Sequence, residues 1–520
     1  MTPEFQSIYS RYADQVHQEP EKVLFAALPG TASPGLSYGE FDDLVRRIAA
    51  RLIADAVLPG DRVAMQVAKS PEAVALYVAA LQIGAVFLPL NSAYTRTEVA
   101  YFLRDAEPKV LVCSPERVAE FIGISGPAEA VPLHVESLGA HGEGTLLSGS
   151  EQSSEVHPAQ ADDPAAILYT SGTTGRSKGA VLTHSNLAAN CQALIDCWNY
   201  AATDRLIHAL PIFHIHGLFV AVNLTLASGA SMFFLPAFDA GTIIDLLPHA
   251  TVLMGVPTFY TRLLKTAGLD ERVCVRMRLF VSGSAPLLAS DHEQFQLRTG
   301  HSIVERYGMT ETGMNTSNPY RDGTRKPGTV GMALPGVNVR VIDVRTGQQA
   351  APGEVGMIEV RGPNVFAGYW RMPEKTAQEF REDGFFVTGD LGRFDEDGHL
   401  VIVGREKDLI ISGGFNIYPK EIEELLDAQP TVLESAVIGV PHPDLGEAVV
   451  GIVVSRPGEQ PDRQELLDAI SPDLARFKLP RLLYLVETLP RNVMGKVQKA
   501  KLREEYAGAF RDESAGTAAQ

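Results

Sequence analysis

Residues 61–90 read DRVAMQVAKSPEAVALYVAALQIGAVFLPL. The run opens with a short apolar strand, passes through Ser70-Pro71 into a helix that ends at Gly84, and closes with a second apolar strand. Two strands joined by a helix on this scale imply a parallel sheet with both faces covered. The same strand form returns in KVLVCS and TVLMGVP, and SYGEFDDLVRRIAARLIA has helical spacing behind a Ser37 N-cap. The fold class is therefore α/β: a large N-terminal domain of parallel or mixed sheets covered by helices, followed by a small α+β domain.

Ala73–Thr95 and Leu206–Phe238 contain no Asp, Glu, Lys or Arg, which invites a membrane reading. Gly84 and Pro89 break the first stretch; Pro211, three histidines, Gly217, Gly229 and Pro236 break the second. Neither is a continuous apolar span, so both read as buried core.

At 520 residues the chain exceeds what one hydrophobic core holds. Residues 122–163 are rich in Gly, Ser, Pro, Ala and Glu and read as surface loop. A boundary falls near 404. Before it, GFFVTGDLGRFDEDGHLVIVG reads as two strands around DEDG; after it come the amphipathic helix PKEIEELLDAQP and three short strands. The expected division is a domain over 1–404, a hinge at 405–409, a small domain over 410–506 and a disordered tail at 507–520.

The formal charge of −18 argues against a nucleic-acid or anionic-membrane partner, so a site for an anion must build its positive field locally. Four scattered cysteines and a polar N-terminus without a signal-peptide core fit a cytoplasmic protein.

Such a field is concentrated in YTSGTTGRSKG, residues 169–179, which follow the apolar run AAIL. Three glycines, six hydroxyl side chains, Arg176 and Lys178 make a loop suited to cradling phosphate through backbone N–H groups. It is not a Walker A loop: position 177 is Ser, and Lys178 is followed by Gly179.

TSGTTGRSKG resembles the signature loop of the adenylate-forming superfamily, which includes acyl-CoA synthetases, peptide-synthetase adenylation domains and luciferases. YGMTE (307–311), TGD (388–390), GREKD (404–408), SGGFNIYP (412–419) and PRNVMGKVQK (490–499) follow in the superfamily's order. The resemblance implies that a carboxylate attacks the α-phosphate of ATP, releasing pyrophosphate, and that the acyl group then passes to a thiol such as coenzyme A. It assigns Thr170, Ser171, Gly172, Thr173, Thr174 and Lys178 to the β- and γ-phosphates. Glu311 would hold Mg²⁺, and Thr310 would contact the α-phosphate. Asp390 would hold the ribose with help from Arg405, while Gly283, Ser284, Ala285 and Tyr307 frame the adenine. Lys496 would bridge the attacking carboxylate and the α-phosphate. Rotation about Asp408 would replace it with Gly413 and Gly414 for the thiol step. Acetylation of Lys496 by a lysine acetyltransferase would remove the charge that adenylation needs.

In the same family the segment from Phe213-His214 forms a wall of the acyl pocket, which makes His214 and His216 candidate contacts, with His214 also a catalytic candidate. Arg306, directly before Tyr307, departs from members that act on uncharged acids. A buried arginine there requires an anion, either a distal carboxylate on the substrate or a protein acid such as Glu305. FLPLNSAYT, HALPIFHIHGLF, SGSAPLL, ERYGMTETGMNTSNPY and GPNVFAGYWRMPEKT resemble the malonyl-CoA synthetases within the superfamily. That resemblance implies malonate, with methylmalonate as a variant, held by Arg306 with Ser282, Arg278 and His214 as helpers. A synthetase for another small carboxylic acid and a non-catalytic nucleotide sensor stand as the alternatives.

Overall fold

The computed structural model describes residues 5–29, 35–122, 133–170, 177–321, 325–492 and 495–510. They form four sheets, of seven, nine, four and five strands.

In the seven-stranded sheet, Arg62–Gln66 pairs in parallel with both Val86–Pro89 and Val110–Cys113, as the opening stretch of sequence implies. The intervening helix Pro71–Gln82 starts at Ser70, whose side chain accepts from Ala73 N, and is buried at every residue from Ala73 to Gln82. Burial all round explains the missing charges, since an unpaired charge there would be desolvated. Pro164–Thr170 continues the sheet and turns back antiparallel as Lys178–Thr183, with Thr170 opposite Lys178. Residues 122–163 differ from the loop expected of them. His134–Ser137 is a strand paired in parallel with Val110–Cys113 at the sheet's edge, where a polar sequence such as HVES is tolerated.

The nine-stranded sheet sets Arg205–His208, Val252–Gly255, Leu279–Ser282 and Val304–Met309 in parallel, so that their carboxyl ends meet on one side. Open α/β sheets bind ligands at those ends. The uncharged stretch after His208 folds into a π-helical turn, His216–Val222, and a short α-helix, Asn223–Ser228, stopped by Gly229 at φ 69°. Among the described residues no helix is long and apolar enough to cross a membrane.

The four-stranded antiparallel sheet places Asp390 on Phe386–Phe394 directly opposite Arg405 on Leu400–Arg405. The five-stranded sheet builds its own core from Ile410, Ile417, Ile422, Leu426, Val437 and Val453. It forms the smaller C-terminal domain. The expected disordered tail begins too early at 507, because Phe510 is buried and packs 5.0 Å from the His442 ring.

Candidate active-site cleft

The motifs scattered through the sequence converge where the carboxyl ends of the parallel strands meet the C-terminal domain. Asp390 joins three of them. Tyr307 Oη donates to Asp390 Oδ2 at 2.6 Å, and Arg405 Nε donates to Oδ1 at 2.6 Å. Asp390 N in turn donates to Thr388 Oγ1 at 3.0 Å, which fixes the carboxylate's base.

Glu311 is buried, and that burial raises its pKa, against the fields of Arg405 and Lys178. Thr310 lies half-buried in the turn between Val304–Met309 and Gly313–Ser317. Lys178 lies 4.1 Å from the Tyr369 ring centroid and pairs with Glu379 Oε1 at 3.0 Å. Tyr369 Oη has one proton to share between Glu379 Oε2 at 2.8 Å and Glu311 Oε1 at 3.2 Å. Ser171, Gly172, Thr173 and Thr174 lie outside the described residues; Thr170 and Lys178, flanking them, are half-buried.

The acyl side is built around Arg306, which is 3% exposed. Strand alternation turns Glu305 to the opposite face, where it meets His292 Nδ1 at 3.2 Å. Glu305 is therefore not the partner of Arg306. Nε and Nη2 of Arg306 are buried with no hydrogen-bond partner among the described residues. Desolvation lowers its pKa to about 9, leaving the guanidinium charged at neutral pH. Gly283 makes room for it: a Cβ at this position would lie 2.6 Å from Arg306 Nε.

Two further buried atoms, Ser282 Oγ and His216 Nε2, also lack partners among the described residues. Ser284, held at φ 71°, brings its Oγ to 3.4 Å from His216 Nδ1. Burial, and then the nearby charge of Arg306, lowers His214 to about 4 and His216 well below the ordinary imidazole value. Both rings are neutral at physiological pH. Ala285 follows Ser284 in the same turn and is half-buried.

Arg278 does not belong to this group. It stands before the amino end of Leu279–Ser282, while Ser282 is at the carboxyl end. Its Nε donates to Asp204 Oδ1 at 2.7 Å and its Nη1 to the Trp198 carbonyl at 3.0 Å. That fully committed guanidinium is structural.

Lys496 reaches the cleft from the C-terminal domain. The turn carrying it rests on the large domain at Thr258, whose Cγ2 would lie 3.1 Å from a Cβ on Gly495. Asn492 shapes the turn: its Oδ1 accepts from Lys496 N at 2.9 Å and its N donates to Lys496 O at 2.9 Å. The Lys496 side chain keeps contact with solvent, yet its pKa is lowered, first by desolvation among the cleft walls and then by Arg405, with Asp390 and Asp408 opposing. Asp408, the expected hinge, ends a short 3-10 turn and pairs with Arg503 at 2.6 Å. Gly413 and Gly414 make the left-handed turn between Ile410–Ser412 and Phe415–Ile417, with open space around Gly414. Glu379 and Arg503 were not foreseen: they lie outside every quoted motif and are brought in only by the fold.

Family models match residues 12–370 (AMP-binding enzyme) and 421–496 (AMP-binding enzyme C-terminal domain). ATP-bound MatB from Rhodopseudomonas palustris is 53% identical and superposes with a TM-score of 0.93 over 97% of this chain and 99% of that one. Apo MatB, at the same identity and coverage, gives 0.82, so the structure here is nearer the ATP-bound form. A malonate–CoA ligase from Arabidopsis thaliana is 36% identical over 484 residues, covering 86% of this chain and 78% of the relative. With both family models matched and these relatives aligned along most of its length, the chain belongs to the AMP-binding, adenylate-forming enzymes, with their large N-terminal and smaller C-terminal domains.

Proposed function

We propose that this protein is an ATP-dependent malonyl-CoA synthetase. Malonate and ATP give malonyl-AMP and pyrophosphate; coenzyme A then displaces AMP to give the thioester. The observation that carries the substrate choice is Arg306, a buried guanidinium whose Nε and Nη2 have no partner among the described residues. A distal carboxylate completes it in a bidentate fork, with His216, whose ring feels the guanidinium's charge, and Ser282 as helpers. An acid lacking that carboxylate leaves the charge buried and unpaired, which costs about 3–5 kcal/mol and discriminates by roughly two to four decades in rate. The malonate–CoA ligase relative supports the same reading.

Held at its far end by Arg306, malonate presents its other carboxylate toward the nucleotide. Lys496 stands near Asp390 and Arg405, where a mobile ammonium screens the attacking carboxylate from the phosphate and stabilises charge as it develops. Asp390, aligned by Tyr307 and Arg405, accepts from ribose hydroxyls. Lys178 leaves Glu379 for the outer phosphates, supported by Thr170 and the loop that follows. Thr310 faces the α-phosphate, and the turn at Gly283, Ser284 and Ala285 borders the adenine. Mg²⁺ fits Glu311, a buried carboxylate with a raised pKa that takes one 3.2 Å hydrogen bond from Tyr369; when bound, the ion would neutralise phosphate charge there. His214, neutral beside Arg306, orients the acid without repelling the cation.

The division 1–404, 405–409 and 410–506 gives Asp408 its purpose: rotation there withdraws Lys496 and brings Gly413 and Gly414 to the thiol path. Lys496 is solvent-accessible, so an acetyltransferase could reach it. Four free thiols suit the reducing cytoplasm.

The test is pyrophosphate release with malonate, methylmalonate, succinate, acetate and benzoate, with and without coenzyme A. Malonate is expected to be the best acid, and Arg306→Ala to lower its kcat/KM by about a hundredfold or more. Faster turnover of acetate or benzoate overturns the dicarboxylate reading, and no turnover with any acid favours a sensor.

A further inference from the structure

Lys69 follows the strand Arg62–Gln66 of the seven-stranded sheet, but its ammonium is bound to the nine-stranded one. Nζ donates to His208 Nδ1 at 2.8 Å and to the His208 carbonyl at 2.9 Å, and it sits 4.3 Å from the Phe234 ring centroid. The residue keeps part of its surface, yet desolvation pulls the amine's pKa well below its ordinary value. No carboxylate pairs with it among the described residues. A lysine near a surface normally extends its head into water, so one turned inward without a counterion is held there by what it binds.

Accepting at Nδ1 places the imidazole proton of His208 on Nε2, which donates to the Gly217 carbonyl at 2.8 Å. Gly217 belongs to the π-helical turn His216–Val222, a feature that recurs at functional sites. A Cβ on Gly217 would run into the Pro211 carbonyl, so the two ends of the 209–217 loop are packed backbone on backbone. Leu218 N closes the loop by donating to His214 O at 3.0 Å. A continuous line thus runs from Lys69 through His208 to the segment bearing His214 and His216.

We propose that Lys69 and His208 are positioning residues for the acyl pocket. Lys69 fixes the tautomer and rotation of His208, and His208 fixes the Gly217 carbonyl. Together they set where His214 and His216 stand relative to Arg306. This proposal rests on the malonate reading above.

Steady-state kinetics on the full-length enzyme separate a positioning role from general support of the fold. Lys69→Met is expected to raise the KM for malonate tenfold or more, with kcat and the KM values for ATP and coenzyme A within twofold of wild type. His208→Phe should do the same, and the double variant should be no worse than either single one, because both remove one line of contact. His208→Gln, able to accept from Lys69 and donate to Gly217, should recover most of the loss. Additive losses in the double variant, a parallel rise in the KM for ATP, or an unchanged KM for malonate in Lys69→Met would each overturn the relay. If Lys69→Met is recovered only as aggregate, Lys69→Gln is judged by the same ratios. A wild-type enzyme that prefers another acid sinks the malonate reading alone, and the relay is then judged on the KM for that acid.

Discussion

Arg306 and Gly283 occupy one space between them. Because the guanidinium lies where a Cβ of residue 283 would stand, Gly283→Ala should leave the fold intact and displace the charge. The expected result is a rise in the KM for malonate of about thirtyfold to a hundredfold, in line with about 2–3 kcal/mol for a misplaced charged hydrogen bond. The melting temperature should change little. The histidines beside it make a second prediction. With His214 lowered to about 4 and His216 lower than the ordinary range, the rings stay neutral until the solution is strongly acidic. In ¹⁵N-histidine spectra of the ligand-free protein neither ring should titrate between pH 8 and 5; a midpoint near 6.5 for either would refute the desolvated pocket. Arg306 was legible in the sequence because its position next to Tyr307-Gly308 is fixed by a motif. Arg278 was not, because its partner Asp204 lies far away in the chain and only the sheet brings them together.

Among the elements, the turn that carries Lys496 is held by its own hydrogen bonds. Asn492 contributes a side-chain acceptor and a backbone donor to Lys496, and its carbonyl accepts from Gly495 N at 2.9 Å. Arg491 pairs with Glu434 before the turn, and Lys499 pairs with Glu423 at 2.6 Å after it. Removing the Asn492 side chain takes away the acceptor for Lys496 N, a hydrogen bond of about 1 kcal/mol, and loosens the lysine. Asn492→Ala should slow pyrophosphate release about fivefold to tenfold while conversion of supplied malonyl-adenylate to thioester continues at the wild-type rate. Equal slowing of both half-reactions would count against a local effect. Strand and helix identity was readable where apolar periodicity was strong, as in residues 61–90. It failed at His134–Ser137, where an edge strand is polar and periodicity is silent. The group of Lys178, Tyr369, Glu379 and Glu311 was half legible: the motifs supplied Lys178 and Glu311, but Glu379 projects from the ordinary-looking helix Pro373–Glu379.

Across the whole molecule, the smaller domain meets the larger one at Gly495, which packs against Thr258, and at Lys420, whose Nζ donates to the Ile402 carbonyl at 2.7 Å. Such a junction suits two successive arrangements, each serving one half-reaction. Lys496→Ala should abolish adenylation but leave thioester formation from supplied malonyl-adenylate largely intact. Asp408→Pro should do the reverse, since a fixed φ stiffens the turn about which the domain must rotate. Rapid-quench assays of the separate half-reactions check both, and equal damage to both steps in either variant would contradict the assigned role. The two-domain architecture was evident from length and from the change in element pattern near 404. The extent of the C-terminal chain was not, because the single buried aromatic Phe510 lies in an otherwise polar tail.

The shared space at Gly283 also gives this pocket a history that runs in one direction. A lineage drifting toward apolar acids must lose the arginine first, since any side chain gained at 283 beforehand meets the guanidinium and disables the ancestor's chemistry. Once the arginine is gone, the glycine is free to enlarge and fill the vacated volume. Reversal then requires two changes at once, because a restored arginine would find its place taken. Laboratory evolution from this sequence should therefore fix substitutions at 306 before those at 283, and revertants at 306 alone should stay inactive.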